Sequence, residues 1–163
     1  MIKTTSRFIG IDPGSKGCLA ILREDETIDF YDLDNNIATY EHLIHILTDP
    51  YTQTYVSVED VHGMPGQSCT ANTTFMKLAG YAELMGWSIC TAGFQKVAPQ
   101  TWKKHFNLIS KGLTKTQRKH MSIALAKEYY PQVEDELTAS KDGRAEALLI
   151  ARYHRDVLRE QEL

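Results

Sequence analysis

Two carboxylates stand at the ends of apolar runs, and each is followed by a glycine-containing loop. Asp12 closes the run 8–11, and Glu59 closes the run 55–58. Both runs are typical of buried strands, and burying a carboxylate costs free energy unless a positive group meets it. Either acid alone could be a turn cap or half of a surface ion pair. Two such acids, on strands that this order can set side by side, favour a metal-ion site.

A second pair of acids lies near the end of the chain. Asp142 and Glu146 are four residues apart, so on a helix they share one face. Glu146 also falls on the apolar stripe formed by Leu149, Ile150, Tyr153 and Val157. Like charges at this spacing repel, and a divalent cation would relieve that repulsion. For Asp142 the alternative is a helix N-cap.

Carboxylates converging from two strands and one helix are the ligands that Mg²⁺ or Mn²⁺ requires. Two such ions about 4 Å apart activate the attacking water and stabilise the leaving oxygen in phosphodiester hydrolysis. The sequence contains no Ser/His/Asp or Cys/His grouping and no phosphate loop with a Walker lysine. The acids therefore predict a metal-dependent hydrolase.

The formal net charge of −3 hides a strong segregation of charge. Residues 84–127 contain no Asp or Glu. The cations of this acid-free segment are Lys96, Lys103, Lys104, Lys111, Lys115, Arg118, Lys119 and Lys127. Such a segment predicts a surface that binds a polyanion, chiefly a phosphate backbone.

The length of 163 residues predicts one domain, spanning 1–163, with an α/β fold. Strands are predicted near 7–12, 18–23, 27–32, 55–59 and 87–91, and helices near 39–48, 72–84, 99–106, 115–129 and 142–159. This order favours a mixed sheet with helices on both faces. No membrane span or signal peptide is predicted, and three scattered cysteines indicate a reduced compartment. We therefore expect a cytoplasmic protein, in a prokaryotic cell or a phage-infected host.

Five motifs resemble, in order and spacing, those of RuvC-type Holliday-junction resolvases, in particular the compact versions encoded by bacteriophages. The motifs are Ile9-Gly10-Ile11-Asp12-Pro13-Gly14, Val58-Glu59, Met64-Pro65-Gly66-Gln67-Ser68, Pro99-Gln100-Thr101-Trp102-Lys103-Lys104 and Asp142-Gly143-Arg144-Ala145-Glu146-Ala147-Leu148. The first motif alone also begins sugar kinases and YqgF-like nucleases. Together the five cover the chain from Phe8 to about Tyr153.

The resemblance implies a ribonuclease H-like fold that works as a homodimer. It implies that Asp12, Glu59, Asp142 and Glu146 hold two Mg²⁺ ions per active site, with Mn²⁺ able to substitute and Asp12 bridging the ions. Bacterial members usually carry two aspartates about one helical turn apart in the last motif. The Asp/Glu pair here leaves open which residue binds metal directly. Lys115 falls on an essential catalytic lysine of the family.

The resemblance also implies DNA contacts. Phe75 takes the position of an aromatic residue that inserts into the junction, with helix core as its alternative. Trp102 is expected to be a packing residue. The predicted DNA-binding residues are Met64, Gln67 and Ser68 in the loop, with Lys96, Lys103, Lys104, Lys111 and Lys119 of the acid-free segment. The resemblance implies that either Lys103 or Lys104 lies near the scissile phosphate.

These expectations describe an endodeoxyribonuclease that nicks four-way junctions and leaves 5′-phosphate and 3′-hydroxyl ends, with a role in recombination and repair. Its partners would be branched DNA and a second copy of the chain, without a membrane or a small-molecule cofactor. The alternatives are a YqgF-like nuclease acting on RNA and a junction-binding protein without catalysis.

Overall fold

A five-stranded mixed sheet forms the centre of the computed structural model, which describes residues 5–63 and 65–162. Its strands are β1 (Ser6–Asp12), β2 (Cys18–Arg23), β3 (Ile28–Asp32), β4 (Gln53–Glu59) and β5 (Gly93–Val97). They lie in the order β3-β2-β1-β4-β5. The first three form an antiparallel meander, whereas β4 is parallel to β1 and β5 is parallel to β4. The carboxyl ends of β1 and β4 therefore meet at one edge of the sheet.

Helices cover both faces of this sheet. They are α1 (Ile37–Leu47), α2 (Cys69–Ile89), α3 (Pro99–His105), α4 (Lys115–Tyr129) and α5 (Asp142–Gln161), with 3₁₀ turns at Pro131–Glu136 and Ala139–Lys141. Ile9 and Ile11 pack with α1 and α2, whereas Phe8 packs with α3, α4 and α5. Alternate residues of a strand face opposite sides of the sheet. Asp12 therefore faces the same side as Phe8 and Gly10, which is the side covered by α5. None of the described helices is long and apolar enough to cross a membrane.

The predicted strand at 87–91 is wrong. Residues 87–89 belong to α2, which also begins three residues before the predicted start. Leu78, Ala82, Met85 and Ile89 are all buried at helical spacing, so the apolar stripe continues through Ile89. The fifth strand starts only at Gly93. The other predicted elements agree with the observed ones to within two residues at each end.

Small residues allow α5 to lie directly on β1. A Cβ atom on Gly10 would lie 2.0 Å from the backbone oxygen of Ala147 and 2.5 Å from the nitrogen of Ala151. Gly143 continues this row of small residues one turn earlier, and its added Cβ would lie 3.2 Å from Oδ2 of Asp12. This close contact brings the first turn of α5 to the end of β1.

Candidate active site

Four carboxylates meet where β1, β4 and α5 come together. Asp12 and Glu59 end adjacent parallel strands, in which Ile11 is paired with Val58. Burial raises the pKa of Asp12 well above its usual range, and the negative charges of Glu59, Glu146 and Asp142 raise it further. The four acids predicted from the sequence are thus close enough to interact.

Trp102 holds the carboxylate of Glu59 in place. Its indole Nε1 donates a hydrogen bond to Oε1 of Glu59 at 2.9 Å, and both residues are buried. Burial and the charge of Glu146 raise the pKa of Glu59, while the Trp102 hydrogen bond and Lys103 oppose that shift. Trp102 is the packing residue predicted, but it also orients a site acid. The sequence could have suggested this role, because the indole N–H of a buried tryptophan needs a hydrogen-bond acceptor.

The capping alternative for Asp142 is wrong. Asp142 is the first residue of α5, and the N-cap residue is Lys141, whose side chain makes no capping bond. The carboxylate of Asp142 instead pairs with Lys119. In the described part of the chain, the turn after Asp12 is closed by a backbone bond from Gly17 N to Gly14 O at 3.0 Å, so it needs no side-chain cap.

Two lysines reach between the acids from neighbouring helices. Nζ of Lys103 on α3 lies 3.5 Å from Oε1 of Glu146 and 4.9 Å from the ring centroid of Trp102. Lys119 on α4 pairs with Asp142, and this hydrogen bond raises the pKa of Lys119. Lys115, which the family resemblance marks as catalytic, is exposed at the start of α4 and forms no ion pair with any described residue.

The four acids suit a hard divalent cation, because carboxylate oxygens are the ligands that such a cation prefers. Within residues 5–63 and 65–162, however, no three His, Cys, Asp or Glu side chains already form a metal-binding group. Lys103 and Lys119 engage two of the four acids. Those two carboxylates would therefore have to leave their lysines in order to bind a cation.

The remaining DNA-binding candidates differ in their exposure and in their contacts. Lys104 and Lys111 are exposed, and Lys96 on β5 pairs with Asp60 and Glu83 at 3.1 Å each. In the glycine-rich loop, Gln67 is exposed, while Oγ of Ser68 accepts from Ala71 N and caps α2. Met64 lies outside the described residues.

Phe75 lies on the first part of α2, beside the loop that follows Asp12. A Cβ atom on Gly14 of that loop would lie 3.9 Å from the Phe75 ring. The ring is half-buried, and it belongs to neither of the two cores formed by the described residues. The helix-core alternative for Phe75 is thus weakened, while its role towards DNA stays a prediction.

Arg144, to which the sequence assigned no role of its own, connects the start of α5 to the end of β3. Its Nε and Nη2 donate to the two carboxylate oxygens of Asp32 at 2.7 and 2.8 Å, and its Nη1 donates to Glu136 at 2.9 Å. A cation in the first turn of a helix is unfavourable with respect to the helix dipole. The position of Arg144 at the start of α5 could therefore have indicated, from the sequence, that an acid elsewhere in the fold binds it. The clamp holds the turn that carries Asp142.

This sheet order, with helices on both faces, is that of a ribonuclease H-like α/β fold, and the predicted fold class is confirmed. Among solved structures, the chain is similar to the crystal structure of the yeast mitochondrial Holliday junction resolvase Ydc2, with a TM-score of 0.51 and 17% sequence identity. The match covers 100% of this chain and 87% of that chain. No protein-family model and no curated protein matches the sequence.

Proposed function

We propose that this chain is a metal-dependent endodeoxyribonuclease that resolves four-way DNA junctions, with residues 1–163 as one nuclease domain that acts as a homodimer in the cytoplasm. The observation that carries the proposal is the group of four interacting carboxylates around Asp12, with lysines beside them. The structural similarity to a Holliday junction resolvase supports it. Branched DNA would be the substrate.

Asp12, Glu59, Asp142 and Glu146 would hold two Mg²⁺ ions, or Mn²⁺ in their place. When bound, such ions polarise the scissile phosphate and lower the pKa of the attacking water. Water attacks phosphorus as the bond to the 3′ oxygen breaks, so the products carry a 5′-phosphate and a 3′-hydroxyl. Trp102 keeps Glu59 oriented throughout.

Lys103 and Lys119 have a second role in this proposal. In the structure each lysine neutralises an acid of α5. If those carboxylates held cations instead, both ammonium groups would be available to phosphate oxygens beside the site. Lys104, Lys111 and Lys115 are exposed nearby in sequence and would extend the contact along the backbone.

Asp12→Asn tests the proposal on a synthetic four-way junction with Mg²⁺. Cleavage should fall by more than the roughly 10–100-fold typical of changes around metal ligands. Junction binding in a gel shift should persist, because the substitution removes a negative charge that repels phosphate. Asp29→Asn, on β3 and paired with Arg23, is the matched control and should cut normally.

Near-wild-type cleavage by Asp12→Asn would contradict the metal-dependent mechanism. Matched RNA and DNA junctions separate the proposal from a nuclease acting on RNA. Binding without any cleavage by the wild-type chain would indicate a junction-binding protein instead.

A further inference from the structure

A cleft opens beside the four acids, between α3, α4 and the segment that joins them. Its volume is about 380 Å³, within the roughly 300–1,000 Å³ of pockets that hold small ligands. Glu146 and Lys103, which form an ion pair, are among its lining residues, so the cleft shares residues with the candidate active site.

Part of the cleft lining is cationic. Lys115, Arg118 and Lys119 line it from the first turns of α4. Lys119 is paired with Asp142, whereas Lys115 and Arg118 form no ion pair with any described residue. Two unneutralised cations on the rim of a concave site favour an anionic ligand.

The lining also has an apolar part, which a surface for phosphate alone does not require. Leu108 and Ile109 form this part, where the chain leaves α3. Leu108 is buried in the core, but Ile109 is 53% exposed and belongs to neither core of the described residues. Gln100, also in the lining, carries both an amide donor and a carbonyl acceptor.

A nucleotide combines these features, because it has an anionic phosphate, a flat apolar ring face and a polar base edge. We infer that the cleft is a nucleoside subsite that takes one base of the DNA strand next to the scissile phosphate. Leu108 and Ile109 contact the face of the base, Lys115 and Arg118 bind the adjoining phosphate, and Gln100 hydrogen-bonds the edge of the base. The inference rests on the proposed function, which supplies DNA as the polymer and the position of the scissile phosphate; binding of a base in the cleft is tested without cleavage.

The test is methyl NMR of the full chain labelled at isoleucine δ1 methyls, without divalent metal so that no strand is cut. The probes are the single-stranded oligonucleotide d(TTTT) and the same backbone with every base removed. The Ile109 signal, assigned with Ile109→Val, should shift with d(TTTT) and should stay in place with the abasic strand. Ile46, which is exposed on α1, is the internal control and should not move with either probe.

Equal shifts of Ile109 with both strands, or no shift with either, would overturn the inference. Ile109→Ala should weaken binding of d(TTTT) roughly three- to tenfold and leave abasic binding unchanged, whereas Ile46→Ala should change neither. Gln100→Ala should alter the relative affinities for the four homopolymers. Since no cleavage is measured, inactivity on junctions would refute the nuclease and leave this result intact.

Discussion

Phe75 is the residue whose surroundings bear most directly on how the protein would meet a junction. The ring lies half-buried next to the loop after Asp12, outside both cores. We predict that Phe75→Ala lowers the free energy of unfolding by less than the about 3–5 kcal/mol of a core phenylalanine. If the ring stacks on a base, about 1–3 kcal/mol of binding to the opened junction should also be lost.

Thermal unfolding of Phe75→Ala, beside 2-aminopurine fluorescence at the junction crossover, measures both effects. Met76→Ala, an exposed neighbour on α2, is the control for a general change in that helix. A large loss of stability with normal junction opening would make Phe75 a packing residue.

His154 is a buried titratable residue that the sequence did not mark. Its Nδ1 lies 2.9 Å from Oγ of Ser57, which in turn accepts a hydrogen bond from Gln95 at 2.8 Å. The Ser57 hydroxyl is therefore free to donate to a neutral imidazole. Burial lowers the pKa of His154 to about 4.

This pKa predicts how stability depends on pH. Between about pH 6.5 and pH 4 the unfolded chain binds a proton at His154 that the folded chain does not, so stability is lost as the pH falls. The loss is at most about 3 kcal/mol. Asp12 and Glu59 have raised pKa values, so their contribution to stability increases as the pH falls. The contribution of His154 is therefore obtained from the difference in unfolding free energy between wild type and His154→Leu at each pH.

Urea unfolding at several pH values supplies that difference. His154→Leu should lose the contribution that falls away between pH 6.5 and 4. Identical profiles for wild type and His154→Leu would show that the histidine is charged or exposed.

At the scale of elements, the contact between β1 and α5 decides the geometry of the site. Gly10→Ala would place a methyl group 2.0 Å from the backbone of Ala147, and backbone atoms cannot move aside as a flexible side chain can. We predict a loss of at least about 1–3 kcal/mol in the free energy of unfolding. Cleavage should fall with it, because α5 carries Asp142 and Glu146.

Gly80→Ala is the matched control for this prediction. An added Cβ at Gly80 meets nothing within 4 Å, and alanine is a better helix former than glycine by about 1 kcal/mol. Chemical denaturation of both variants should therefore show opposite signs. Tolerance of Gly10→Ala would mean that α5 does not lie on β1 as described.

At the scale of the whole molecule, DNA binding depends on where lysine and arginine side chains have no acidic partner. The net charge is negative, yet Lys115 and Arg118 are free of ion pairs with described residues beside the acids of the site. Affinity for a junction should thus fall steeply with salt. Lys115→Ala and Arg118→Ala should each reduce the salt slope by about one.

Titrations at several salt concentrations check this prediction. Lys127→Ala is the control, since at 1.5 Å per residue Lys127 lies about 18 Å from Lys115 and about 14 Å from Arg118 along α4. A salt slope that is the same in all three variants would place the DNA elsewhere on the protein.

Local patterns in the sequence were sufficient for most of the elements, and they placed Asp12 and Glu59 at strand ends and Asp142 and Glu146 on one helix. A continuous apolar run predicts β1 and an alternating one predicts β4, and a carboxylate that directly follows each run must lie at the strand end. The ends of the helix 115–129 are also set by nearby residues, because a Thr114–Gln117 capping box begins it and Pro131 follows its end. These features depend on neighbours a few residues away.

Only the tertiary structure decided where α2 ends and which side chains meet across the site. Trp87 and Ile89 suit a strand or a helix, and packing of the α2 stripe on the sheet selects the helix. Similarly, Lys119 and not Lys115 reaches Asp142, Trp102 finds Glu59, and Arg144 finds Asp32. These partners are separated by 23, 43 and 112 residues, so their contacts depend on the strand order and on the approach of α5 to Gly10, which no local pattern encodes.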